Sequence, residues 1–106
     1  MNHRIRTAAL ILLAASIAAP VFAQSAGADT YKAKCAMCHG PDGTASTGMG
    51  KAMNIPSFKS PDVVKASDAT LIATTTNGKG KMPAYSGKLT DAQIKDVVSY
   101  IRTLQK

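Results

Sequence analysis

The segment "CAMCH" at residues 35–39 holds the only two cysteines of this 106-residue chain. A Cys-x-x-Cys pair serves three chemistries: a redox disulfide, part of a zinc site, or the covalent seat of a haem. Each demands a different protein around it. A domain this small buries only about 60% of its unfolded surface and commonly needs a bound group or cross-link for stability. A disulfide between Cys35 and Cys38 would close only a tiny loop. If something staples this fold, it is a ligand.

The front of the chain places that segment in a compartment. Arg4 and Arg6 precede an apolar run from Ala8 to Ala19, Pro20 breaks the run, and Val21-Phe22-Ala23 supplies the small residues of a cleavage site. This order predicts a secretory signal over residues 1–23 and a single domain over 24–106. The run is shorter than the roughly 20 residues a membrane-spanning helix needs, and no later stretch is apolar enough to span. Retention of the leader as an anchor is the alternative. The expectation is an exported, soluble, periplasmic protein. Its formal net charge of +7 includes Arg4 and Arg6, so it stays basic after their removal. Basic and aromatic residues are not interleaved, which argues against nucleic acid as a partner.

Past the leader the pattern is helical at both ends. Ala28, Tyr31, Cys35 and Cys38 recur at i, i+3, i+7 and i+10, one face of a helix that Gly40-Pro41 should stop. Residues 41–60, rich in Gly, Ser, Thr and Pro, read as a long loop of the kind that wraps something. Ser60-Pro61 opens a short helix to about Lys65. Ser67 caps another that Asn77-Gly78 ends. Thr90 and Gln93 form a capping box before an amphipathic helix whose apolar stripe is Ile94, Val97, Val98, Ile101 and Leu104. No strand alternation or repeat is present, so the fold class is all-α.

This context discriminates among the three chemistries. A thioredoxin-type pair sits at a helix start in an alternating strand and helix pattern; here the pair ends a helix and no such pattern exists. A structural zinc site takes four ligands. With His3 lost in the leader, Cys35, Cys38 and His39 are the whole Cys and His supply. The haem reading fits. Cysteines at i and i+3 stack on one helix face, so both sulfurs can reach the vinyl groups along one porphyrin edge. His39 then follows as proximal ligand. Cys-x-x-Cys-His is the c-type attachment signature, and export puts it where attachment occurs.

A sixth ligand decides what such a haem does. His39 is the only remaining histidine, so bis-histidine ligation is excluded. Met37 lies inside the attachment loop, and Met49 and Met53 read as pocket or surface side chains, methionine being an adaptable gap-filler. Met82 differs. It sits in the glycine-rich loop "NGKGKMPAYSGKLT", with Pro83 stiffening the chain behind it. It is expected to be the axial thioether, with core packing as the alternative.

The stretches "CAMCHG" and "NGKGKMPAYSGKLTDAQIKDVVSYIRTL" resemble class I cytochromes c, in particular the small bacterial monohaem, c6-like branch, over nearly the whole chain past the leader. The resemblance implies about three to five helices wrapped around one covalently bound haem c, attached through two thioethers. It implies a close crossing of the N- and C-terminal helices at Gly27, Tyr31 and Tyr100. It also implies that a proline carbonyl accepts the proximal histidine's Nδ1 proton; Pro56 in "NIPSF" is the better match and Pro41 the weaker. Tyr85 falls at a common aromatic position and reads as pocket packing.

The expected function is therefore a monomeric one-electron carrier, not an enzyme, running between redox proteins such as those of a respiratory chain. Lys32, Lys34, Lys51, Lys79, Lys81 and Lys88 flank the haem-binding segments and predict partners with acidic docking faces. Two alternatives stand beside it: a five-coordinate haem protein that binds gas or reduces peroxide, and a haem subunit of a larger oxidoreductase complex.

Overall fold

The computed structural model describes residues 21–106, with side chains from Ser25 onward. The leader expected over residues 1–23 lies outside them, except that the backbone of 21–23 begins the first helix. In chain order the helices are α1 (Val21–Lys34), α2 (Ala36–His39), α3 (Gly48–Ala52), α4 (Pro61–Lys65), α5 (Asp68–Asn77) and α6 (Asp91–Leu104). Among the described residues no strand forms, and no helix is long and apolar enough to cross a membrane.

The C-terminal helix α6 organises the core. Thr90 accepts from the Gln93 N–H at 3.1 Å, and the Gln93 side chain accepts from the Thr90 N–H at 2.9 Å. The capping box thus forms as the sequence predicts. Ile94, Val97, Val98 and Ile101 are buried, each contributing about 1.5–3 kcal/mol of transfer free energy.

Helix α1 crosses α6 where Gly27 sits. A Cβ there would collide with the Asp96 carbonyl and come within 3.2 Å of the Tyr100 Cβ. Only glycine lets the two backbones approach this closely. One turn on, Tyr31 is fully buried, with its ring 5.3 Å from that of Tyr100 and 6.2 Å edge-on to Phe58. The three residues named for this crossing meet as expected.

Two departures from the sequence reading stand out. The helix carrying the cysteines is not continuous to Gly40. It breaks at Cys35, where the Cys38 N–H turns to the Cys35 carbonyl at 3.2 Å while the His39 N–H keeps its helical bond to the same oxygen at 3.0 Å. The chain tightens for one turn and restarts as α2. Second, the loop over 41–60 contains α3. Two glycines in five residues oppose a helix locally. Thr47 supplies what they lack: its hydroxyl caps the Gly50 N–H at 2.9 Å and donates to the Cys38 carbonyl at 3.1 Å.

Arg102 closes the remaining side. Its Nε donates to Asp68 at 2.8 Å and its Nη1 to the Val63 carbonyl at 3.3 Å; its Nη2 donates to the Ala66 carbonyl. Carbonyls at the end of α4 lack full helical partners, Val63 accepting only a 3.3 Å bond from the Ala66 N–H, and Arg102 completes them. Gln105 continues the clamp by donating to the Phe58 carbonyl at 3.0 Å.

Candidate functional site

Between these helices lies a cavity of about 890 Å³, within the range of small-molecule and cofactor sites, roughly 300–1,000 Å³. Cys35, Cys38 and His39 line it, together with Met82, Met53 and Pro56. Aliphatic side chains from the core, Val97 and Ile101 among them, complete an apolar wall. The structure thus brings all five site residues expected from the sequence onto one cavity. Of the other methionines, Met37 is 76% exposed and Met49 42% exposed.

The local fold explains how the methionine loop gets there. Helix α5 ends at Gly78 with φ +76°, a conformation other residues rarely adopt. A Cβ at Gly78 would also lie 2.7 Å from the Met82 carbonyl oxygen. Lys79 and Met82 then exchange backbone hydrogen bonds of 3.1 and 3.0 Å in a tight turn. Beyond Pro83 the loop returns to α5, where the Tyr85 and Ser86 N–H groups donate to the Thr75 and Thr76 carbonyls, each at 3.1 Å. Anchored at both ends, the loop holds Met82 half-buried on the cavity wall.

The electrostatics favour neutral groups. Burial pushes the Cys35 thiol up to about 11, with Cys38 adding a smaller push in the same direction. A thiolate is therefore disfavoured here, which suits neither zinc ligation nor a reactive redox pair. A thioether carries no charge and meets no such penalty. Among the described residues no group of three His, Cys, Asp or Glu side chains is placed to hold a metal ion. Burial also lowers the pKa of His39, keeping its imidazole neutral and competent as a ligand.

His39 Nδ1 is buried and has no hydrogen-bond partner. The bond implied for the Pro56 carbonyl, or for Pro41, is not made in this structure. Pro56 stands exposed on the rim, and it is Phe58, two residues on, that stacks on the imidazole at 4.6 Å with 20° between planes. Phe58 is itself fixed by its N–H, which donates to the Gly43 carbonyl at 2.9 Å, and by the Gln105 bond. Sequence reading missed this residue; an aromatic after a Pro-Ser turn gives no sign that a histidine will find it.

The Tyr31 hydroxyl donates to the Gly40 carbonyl at 2.6 Å, just after His39. The Tyr85 hydroxyl donates to the Lys34 carbonyl at 2.9 Å, just before Cys35. A large apolar cavity, a neutral histidine with an orphaned nitrogen, two cysteines one helical turn apart and two methionine thioethers together fit a haem.

This all-α fold closing on a Cys-x-x-Cys-His segment is that of a class I monohaem cytochrome c. The chain belongs to that family: the family described as cytochrome C oxidase, cbb3-type, subunit III matches residues 22–101. It is 37% identical over 78 residues to a cytochrome c6 of Leptolyngbya boryana, covering 73% of this chain and 87% of that one. It is 38% identical over 80 residues to the cbb3-type cytochrome c oxidase subunit CcoP of Azospirillum brasilense, covering 74% of this chain but only 27% of that much longer protein. Among solved structures it is similar to the KustC0563 c-type cytochrome, with a TM-score of 0.69 and 29% identity over 76% of this chain and 98% of that one. As a c-type cytochrome the chain carries covalently bound haem c and takes part in electron transfer.

Proposed function

We propose that this protein is a single-electron carrier whose haem is attached through Cys35 and Cys38 and whose iron is held by His39 and Met82. The observation that carries this reading is the shared cavity, which collects both cysteines, the histidine and the methionine from separate elements. Bound haem supplies reversible one-electron chemistry at iron, and a methionine partner favours the ferrous form. The residues do the rest. His39 stays neutral through burial, the apolar wall excludes water, and the anchored loop presents the Met82 thioether. Pro56 is proposed to accept the Nδ1 proton once His39 turns its other nitrogen to iron. Its carbonyl is the nearer match in sequence, and Nδ1 is otherwise orphaned.

Met53 also lines the cavity, so the axial assignment is tested by comparing two variants. Met82→Ala should open the sixth position and bind carbon monoxide readily in the ferrous state, whereas Met53→Ala should keep a low-spin spectrum. The reverse outcome would move the ligand to Met53.

Three exposed lysines, Lys34, Lys79 and Lys81, line the cavity, and Lys88 lies 5.8 Å above the Tyr85 ring. Lys32 and Lys51 are exposed but do not line it. Such a lining suits a redox partner with an acidic docking face. Export is proposed on the leader over residues 1–23; N-terminal sequencing of the purified protein should begin at Gln24, and a start at Met1 would make the leader an anchor.

The match to CcoP favours one second reading, a haem module working within an oxidase assembly. Sedimentation of the purified protein separates the two: a carrier runs as a monomer, and a module co-purifies with an oxidase.

A further inference from the structure

We propose that Tyr85 is a positioning residue, whose hydroxyl ties the methionine-bearing loop to the cysteine-bearing segment and so holds Met82 in place as axial ligand. The proposal rests on the reading of Met82 as that ligand. The break at Cys35 leaves the Lys34 carbonyl at the end of α1, and a carbonyl there needs a partner from outside the helix. The Tyr85 hydroxyl supplies it at 2.9 Å, across 51 residues of sequence.

Tyr85 is well placed for the task. Its N–H is bonded to Thr75 of α5, and its carbonyl accepts from the Lys88 and Leu89 N–H groups at 3.0 and 2.9 Å. Lys88 lies within cation–π reach of the ring. One residue thus joins α5, the loop and the end of α1 around the mouth of the cavity that Met82 lines. A sulfur ligand that is weakly held leaves when its loop swings away, so any bond that restrains the loop favours the ligated state. Tyr31 brackets the other end of the attachment segment through Gly40 but lies within α1, so it cannot restrain the loop.

The test is imidazole binding to the ferric holoprotein, because imidazole competes with Met82 for iron. Removing only the hydroxyl, in Tyr85→Phe, should raise the apparent imidazole affinity about fivefold, the equivalent of one net hydrogen bond. In a Met82→Ala background the same change should have no further effect, because the latch acts through Met82. Ser67→Ala, which loses the cap at the far end of α5 and leaves the loop intact, controls for general destabilisation and should leave imidazole affinity unchanged. The latch is overturned if Tyr85→Phe binds imidazole like the parent, or if Ser67→Ala raises affinity equally. If Met82→Ala itself binds imidazole no tighter than the parent, the axial assignment fails instead.

Discussion

His39 shows how burial sets chemistry at one residue. The folded protein holds its imidazole below the ordinary 6.5, because charging it would cost solvation. On acidification the unfolded chain therefore takes up the proton first. The stability this group supplies is complete above pH 6.5 and is lost as the pH falls from there towards the folded value. The proposed ligation of iron would act in the same direction, since only the neutral ring binds metal. The denaturation midpoint should therefore begin to drop as the pH falls below 6.5, above the usual carboxylate range. A midpoint constant across that window would mean that His39 is neither buried nor ligated in the folded protein. Cys35, Cys38 and His39 were legible as cavity-lining residues because each is chemically scarce, two cysteines and one histidine outside the leader, and Met82 because Pro83 follows it in a loop between two helices. Phe58 and the Tyr85 hydroxyl were not. Their partners are a ring and a carbonyl far away in sequence, and neither leaves a local pattern.

At the scale of elements, the helices with strong ends were readable and the weak ones were not. Helices α5 and α6 begin where the Ser67 and Thr90 hydroxyls accept from the third helical N–H, a local interaction. Helix α4 begins at Pro61, preset for a first turn, with no cap bond from the Ser60 hydroxyl. Helix α3 also has a local cap, Thr47 accepting from the Gly50 N–H, but two glycines in its five residues mask it, and the Thr47 bond to the Cys38 carbonyl is made only once the chain has folded back. The break at Cys35 was hidden for a similar reason, since the apolar spacing runs straight through it. The α1–α6 crossing was anticipated by resemblance, and its geometry makes a sharp demand. Gly27→Ala would drive a methyl into the Asp96 carbonyl, so one helix must shift. A loss of about 1–3 kcal/mol is expected, read as a lower denaturant midpoint with the haem spectrum retained. A variant as stable as the parent would place the crossing elsewhere.

For the whole molecule, charge and cavity meet. The chain carries 13 Lys and Arg against 6 Asp and Glu, and three of the lysines line the cavity. If those lysines steer a partner, electron-transfer rates with an acidic redox protein should fall steeply as salt is raised, since exposed charges are screened beyond roughly 10 Å at 0.1 M. Rates that stay flat or rise with salt would remove steering from the account.

The central claim is a six-coordinate haem with Met82 opposite His39. Its most direct test is the absorption spectrum of the purified protein in both oxidation states, with carbon monoxide added to the reduced form. A low-spin spectrum, a methionine-to-iron charge-transfer band when oxidised, and no response to carbon monoxide are predicted. A high-spin spectrum with ready carbon monoxide binding would contradict the account and make this a five-coordinate, ligand-binding haem protein.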